Sequence, residues 1–123
     1  MTTIKISEAE SVLLELLWSQ SPLTAAELAE RAPSERNWHL TTVKTLLARL
    51  VAKRAIRAEA EGRRFIYHPL VERNALAVEQ AGRLVDRMFG GRISPLVAQL
   101  AEQRTLSRDD LDELEALIRT LKS

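Results

Sequence analysis

The chain has 123 residues, no cysteine and a net charge of +1, which fits one globular domain or a small domain with an appendage and excludes disulfide bonds. No segment approaches the roughly 20 apolar residues that span a bilayer, and the N-terminal residues lack the apolar core of a signal peptide. We therefore expect a cytoplasmic protein that does not insert into a membrane.

The charges are distributed unevenly along the chain. Residues 36–64 contain eight basic and two acidic residues, a net charge of +6, so the other residues sum to −5. A basic segment on an otherwise acidic molecule can attract a polyanion to one surface. A solvated basic face without a partner explains the charge pattern equally well.

Two helices are predicted first, and each begins with a capping box. Ser7 with Glu10, and Thr24 with Glu27, have the spacing at which a hydroxyl and a carboxylate satisfy the free N–H groups of a helix start. The first helix extends to about Trp18, with its apolar residues at helical spacing. The second helix is short.

A third helix is predicted from Leu40, and its two sides differ. One side carries Thr41, Thr45 and Ala48, is edged by cations, and has no acid between residues 40 and 58. Such a slim, hydroxylated face can enter the major groove of DNA, whereas the alternative is a solvated face on a small helical domain. The other side is apolar and is expected to face the core through Leu40, Val43, Leu46, Leu47 and Leu50.

A β-hairpin is predicted after the third helix. Residues 56–61 alternate small or apolar residues with charged ones, Gly62 permits a tight turn, and residues 63–68 are rich in aromatic and branched side chains. Three helices closed by a hairpin make a winged helix-turn-helix, with Arg63 and Arg64 at the wing tip beside the phosphates. The alternative is a hairpin that only seals the core.

Residues 72–123 carry three more helical patterns, the second of which is expected to start at Ser94 and Pro95. Three short helices bury little surface alone, so we expect them to pair with a second copy, the alternative being a tail that folds back on its own N-terminal domain. The candidate dimer contacts are Val78, Val85, Met88, Leu96, Leu100, Leu111, Leu114, Leu117, Ile118 and Leu121.

The predicted fold class is therefore mainly α with a small β-hairpin. A winged-helix DNA-binding domain is expected at residues 1–71, and a helical dimerisation domain at residues 72–123.

The order and spacing of several segments resemble the penicillinase-repressor (BlaI/MecI/CopY-type) family of bacterial transcription factors. The resemblance implies a homodimeric repressor that binds a palindromic promoter operator with a recognition helix and a basic wing. The matching segments are ISEAE at 6–10, LLELLW at 13–18, SPLTAAELAE at 21–30, W-x-x-x-T-V-x-T-L-L-x-R-L at 38–50, EGRRFIYHPLV at 61–71 and LSRDDLDELEALI at 106–118. Together with the residue patterns, it gives as candidate DNA contacts His39, Thr41, Thr42, Lys44, Thr45, Arg49, Arg63 and Arg64.

The chain also departs from the pattern of that family. His39 occupies the place of a serine that caps the recognition helix, and histidine caps poorly, so either Asn37 caps the helix or its first turn is loosely held. The antibiotic-responsive members are cut by an induced protease, which implies a membrane sensor-protease as a partner and a cleavage site at Gln99–Leu100. Those members have Asn-Phe at that bond, and this chain has neither residue. The cysteine-rich tail of the copper-responsive branch is also missing.

Nothing in the sequence indicates catalysis. His39 and His68 are isolated, without a cysteine or a cluster of metal-ligand residues around them, so we expect no enzyme activity, no metal and no cofactor. Two rival functions are a winged helix used only for protein contacts, without DNA binding, and a regulator controlled by a small molecule bound between its helices.

Overall fold

The computed structural model describes residues 4–123, which form a mostly helical chain with a small antiparallel sheet. This confirms the predicted fold class. No helix in the described range is long and apolar enough to cross a membrane. The elements are α1 (Glu8–Ser19), β1 (Leu23–Thr24), α2 (Ala25–Arg31), α3 (Leu40–Ala52), β2 (Ile56–Glu61), β3 (Arg64–Pro69), α4 (Arg73–Met88), α5 (Ile93–Gln103) and α6 (Arg108–Lys122).

Both predicted capping boxes are present. The Ser7 hydroxyl accepts from the Glu10 N–H at 3.1 Å, and the Glu10 carboxylate accepts from the Ser7 N–H at 2.8 Å. Thr24 and Glu27 form the same reciprocal pair at 3.1 and 2.9 Å at the start of α2. These bonds satisfy donors that a helix start would otherwise leave unpaired.

The sheet has the strand order β1-β3-β2. The hairpin pairs Ile56 with Pro69 at one end and Glu61 with Arg64 at the other, and Gly62 closes its turn at a φ of +64°, which glycine adopts without strain. The strand β1 was not predicted, because a segment of two residues is too short to show an alternating pattern.

The core of the N-terminal part lies between α1, α2 and α3. Leu13, Leu14 and Leu17 of α1 are fully buried against the apolar side of α3, which contributes Val43, Leu46, Leu47 and Leu50. The prediction that Leu40 belongs to this side is wrong. Leu40 is 42% exposed, because it is the first residue of α3 and the buried part of that helix begins at Val43.

A buried ion pair joins the N-terminus of α1 to the C-terminus of α3. The Glu10 side chain is only 1% exposed, and its carboxylate lies 2.6 Å from the Lys53 ammonium, which also donates to the Lys5 carbonyl at 2.6 Å. Burial raises the pKa of Glu10, but the hydrogen bonds from Lys53 and Ser7 outweigh it and hold the pKa below its ordinary 4.5. The pair therefore contributes stability above that ordinary pKa and loses it as the pH falls through the lower value of the folded protein.

The chain divides into two compact units, one ending at Gln80 and one comprising residues 81–123. The first unit extends beyond the predicted boundary at 71, because the start of α4 is tied to α1. The Trp18 indole donates to the Val71 carbonyl at 2.9 Å, Arg73 forms an ion pair with Glu15, and Leu76 is buried in the core. The functional assignment of residues 72–123 stays a prediction.

In the second unit, a serine caps α6, whereas α5 begins before its predicted start. The Ser107 hydroxyl accepts from the Asp110 N–H at 3.0 Å, which caps α6. However, α5 begins at Ile93, after Arg92, so the predicted start at Ser94 and Pro95 is wrong, and Ser94 lies inside the helix instead of at its cap. Pro95 still lies in the first turn, where its missing N–H would have had no partner within the helix.

Replacing Lys53 by methionine should lower the free energy of unfolding by about 1–3 kcal/mol, because the buried Glu10 carboxylate loses its charged partner. Lys44→Met is the matched control, since Lys44 is exposed on the same helix and makes no ion pair among residues 4–123. Urea unfolding at neutral pH without DNA measures both variants. Equal effects of the two substitutions would contradict a stabilising role of the pair.

Candidate nucleic-acid interface

The outer side of α3 is exposed along its whole length. Thr41, Lys44, Thr45 and Ala48 all reach solvent, as do the predicted contacts Thr42 and Arg49. At 100° per residue, Thr41, Thr45 and Ala48 share one face, with Lys44 on one edge of it and with Thr42 and Arg49 on the other. The exposure of this face agrees with the prediction, and base contact itself stays a prediction.

One of the threonine hydroxyls on this face already donates a hydrogen bond within the helix. The Thr45 hydroxyl donates to the Thr41 carbonyl at 3.0 Å, four residues earlier in the helix. With its hydrogen used in this way, the Thr45 oxygen can still accept a hydrogen bond, and its methyl group can make apolar contact. This geometry suits an amino group of a base or the methyl group of thymine.

The start of α3 has no side-chain cap. His39 is the N-cap residue, exposed and without a capping hydrogen bond. Asn37, the alternative cap, instead ends the short 3-10 turn Ser34–Arg36 in the left-handed conformation, with a φ of +46°. Of the two expectations for this end of the helix, the structure supports a first turn that no side chain caps.

Four of the eight cations between residues 36 and 64 have acidic neighbours within the protein. Arg36 pairs with Glu8 at 2.8 Å and Lys53 with Glu10, while the two arginines of the hairpin strands pair with acids of β2. The other four of these eight, which make no ion pair with a described residue, are Lys44, Arg49, Arg54 and Arg63. The charge available to a partner is therefore smaller than the sequence suggests.

The two arginines at the tip of the hairpin differ in availability. Arg63 lies in the exposed turn between β2 and β3. Arg64 donates to Glu61 from two of its nitrogens, at 2.7 and 3.2 Å. Both residues are exposed as predicted, but the guanidinium of Arg64 must leave Glu61, or share it, to bind a phosphate.

The two faces of the hairpin, which we call the wing (Ile56–Pro69), have opposite chemistry. One face carries the charged residues and pairs them internally, with His68 3.2 Å from Glu59. This contact and the nearby arginine hold the pKa of Glu59 below its ordinary 4.5. The other face is apolar, because the register places Ala58 opposite Tyr67 and Ala60 opposite Phe65.

An open groove of about 240 Å³ separates the apolar face of the wing from α3, and we call it the wing groove. This groove was not predicted from the sequence, although the alternation of residues 56–61 indicates which wing residues share a face. Phe65 is 55% exposed there and Val51 is 37% exposed. The groove is lined by Lys44, Ala48, Val51, Ala58, Phe65 and Tyr67.

The candidate dimer contacts are mostly exposed within the single chain. None of the residues of α6 is buried, and Val78 and Met88 on α4 are 72% and 64% exposed. Val85 differs, since only 8% of it is exposed and its own chain already covers it. Leu96 is half-buried. The exposed remainder consists of Leu100, Leu111, Leu114, Leu117, Ile118 and Leu121.

Comparison with known proteins identifies the family. The model of the penicillinase repressor family matches residues 6–120. The chain belongs to the penicillinase repressor family. The methicillin resistance regulatory protein MecI of Mammaliicoccus sciuri is 27% identical over 116 residues, covering 94% of each chain. The penicillinase repressor of Bacillus licheniformis is 25% identical over 119 residues, covering 97% of this chain and 93% of that protein.

A solved structure supports the fold of this penicillinase repressor family member. The solution structure of Bacillus licheniformis BlaI, in monomeric form and in complex with the blaP half-operator, is similar with a TM-score of 0.51 and 31% identity. The similarity covers 60% of this chain and 92% of that chain. The three helices, the strand β1 and the wing therefore form a winged helix.

Replacing His39 by serine should raise the free energy of unfolding by about 1 kcal/mol, because serine can accept from the free N–H groups at the start of α3. His39→Ala is the control, since alanine has no capping oxygen and should leave the stability close to that of the parent. Urea unfolding without DNA measures both. A serine variant no more stable than the alanine variant would show that the uncapped end costs nothing.

Proposed function

We propose that this chain is a DNA-binding repressor whose α3 enters the major groove of an operator while the wing lies beside the phosphates. The observation that carries the proposal is the exposed, acid-free side of α3, where Thr41, Thr45 and Ala48 permit close approach to base edges. Membership of the penicillinase repressor family supports the same function.

The charge around α3 fits this partner. Lys44 and Arg49 flank the helix face, Arg54 follows the helix and Arg63 lies at the tip of the wing, all exposed and outside the ion pairs of the described residues. Cations placed in this way contact phosphates and fix the position of the helix, whereas the threonines between them can read bases. Arg54 adopts the left-handed backbone conformation, with a φ of +63°, which is unfavourable for residues other than glycine.

We propose further that two copies bind together. The apolar stripe of α6 is exposed on a single chain, with Leu117 at 53% and Leu121 at 74%, and an exposed stripe of this kind marks a surface for association. A two-fold symmetric dimer would present two recognition helices to half-sites spaced by about 10 base pairs or a multiple of that distance. A palindromic operator would match this symmetry.

Release from the operator would follow from loss of the dimer, because the second half-site contact is effectively intramolecular only while the two copies are joined. Cleavage at Gln99–Leu100 would detach α6 and its apolar stripe from the rest of the chain. That bond lies inside α5, between exposed residues, so the helix must open before a protease can bind it as an extended segment. A membrane sensor-protease would be the partner in this route.

The affinity for duplex DNA should depend steeply on salt. Four unpaired cations on each of two chains would cover about eight phosphates, which predicts a slope near −7 and a loss of about 10⁴ in affinity between 50 and 200 mM salt. Arg63→Ala should reduce the slope by about one per wing on any sequence. Arg64→Ala is the matched neighbour and should change it less, because Arg64 is already paired with Glu61.

Fluorescence anisotropy titration of a labelled random duplex measures these slopes. Thr45→Ala should leave binding to the random duplex unchanged and weaken binding only to the operator, which footprinting on the upstream region of the gene can locate. A flat salt response of the parent protein would contradict DNA binding and favour a winged helix that contacts only proteins.

The dimer proposal has its own test. Leu117→Asp should convert the protein to a monomer, because a charge would be buried in the apolar interface, and should reduce affinity for a two-half-site duplex far more than for a single half-site. Ala116→Asp is the control, since it adds the same charge to the opposite side of α6. Sedimentation velocity measures the mass. Two variants of unchanged mass would contradict this interface.

A further inference from the structure

The exposed Phe65 of the wing lacks a role in the contacts described so far. It is 55% exposed on the apolar face of the wing, and it faces α3 across the wing groove. Phe65 does not stand alone there, because it lines the wing groove together with Val51 and Tyr67. The residues on the charged face of the wing pair with one another, so their ion pairs do not explain why Phe65 is exposed.

The lining of the wing groove limits what can occupy it. Lys44 is the one charged residue among the described residues that line it, and no acidic residue does so. Ala48 and Ala58 are small enough to allow a backbone to approach closely. An occupant that is anionic on its outside and presents apolar C–H groups to the ring of Phe65 fits this lining.

The groove is also continuous with the face of α3 that we propose for base contact. Ala48 belongs to both surfaces, and Lys44 lies on the edge of α3 that faces the wing. In the proposed binding mode, a DNA strand bounding the major groove would pass this edge. Its phosphates are anionic, while the edges of its deoxyribose rings between them are apolar.

We propose that the wing groove holds the deoxyribose edge of one DNA strand against Phe65, so that the wing grips DNA by apolar contact as well as by charge. This inference rests on the proposed DNA binding and specifies how the wing takes part in it. The contact is independent of sequence, because every nucleotide has the same sugar. It is also independent of salt, because no counterion is released when an uncharged ring is covered.

Substitution of Phe65 separates this contact from an electrostatic one. Phe65→Ala should weaken binding to a random duplex about tenfold with an unchanged salt slope, whereas Arg63→Ala should lower the slope. Phe65→Leu keeps an apolar side chain and should bind nearly as the parent does. Leu70→Ala is the matched control, because Leu70 is equally exposed, at 54%, but lies outside the groove.

A measurement on the unsubstituted sequence removes any dependence on how the variants fold. The chain has two phenylalanines, Phe65 and Phe89, so fluorophenylalanine labelling gives two ¹⁹F resonances. Adding the random duplex should shift the resonance of Phe65, and Phe89 serves as the internal reference.

Each result decides the proposal. Parent-like affinity of Phe65→Ala, a reduced salt slope for that variant, or an unshifted Phe65 resonance under saturating DNA would overturn it. A change in the mass of Phe65→Ala would assign the groove to a second copy of the chain instead. If the parent protein itself shows no salt-dependent DNA binding, the proposed function fails, and this inference fails with it.

Discussion

The burial of one side of α3 determines which residues the protein can present to a partner. Val43, Leu46, Leu47 and Leu50 are held in the core with α1 and α2, so the helix cannot rotate about its axis without exposing leucines, at a cost of about 1.5–3 kcal/mol for each one. The Glu10–Lys53 pair adds a second constraint at the C-terminal end of the helix. Together they keep the threonine side in solvent and fix it relative to the wing.

Local patterns in the sequence predicted most of this arrangement. The capping boxes, the helical spacing of the leucines in α3 and the alternation along β2 each depend on residues a few positions apart, and the structure follows all three. The exposure of Thr41 and Thr45 follows from the burial of the opposite side. The identity of a single residue, His39, also indicated that the side chain in the capping position would not cap the N-terminus of α3.

Features that depend on residues distant in sequence were not predicted. Lys53 is one of the eight cations from which the sequence predicted a basic surface. Its partner Glu10 is 43 positions away, and the ion pair between them neutralises its charge. The strand β1 exists only because β3 pairs with it. The first unit extends into α4 because Trp18 and Glu15 hold the chain near Val71 and Arg73, contacts that span more than 50 positions. Hydrophobic periodicity carries no information about such pairs.

The internal pairing of the wing has a consequence for orientation. Glu59 and Glu61 lie on the face of the hairpin opposite Phe65. A polyanion that approaches from that side meets carboxylates that Arg57 and Arg64 already pair with, whereas one that approaches from the side of α3 meets alkyl groups, rings and the ammonium of Lys44. One side of the hairpin thus has charges that cancel, and the other side has an available cation, so this asymmetry would favour encounter complexes in which DNA approaches from the side of α3.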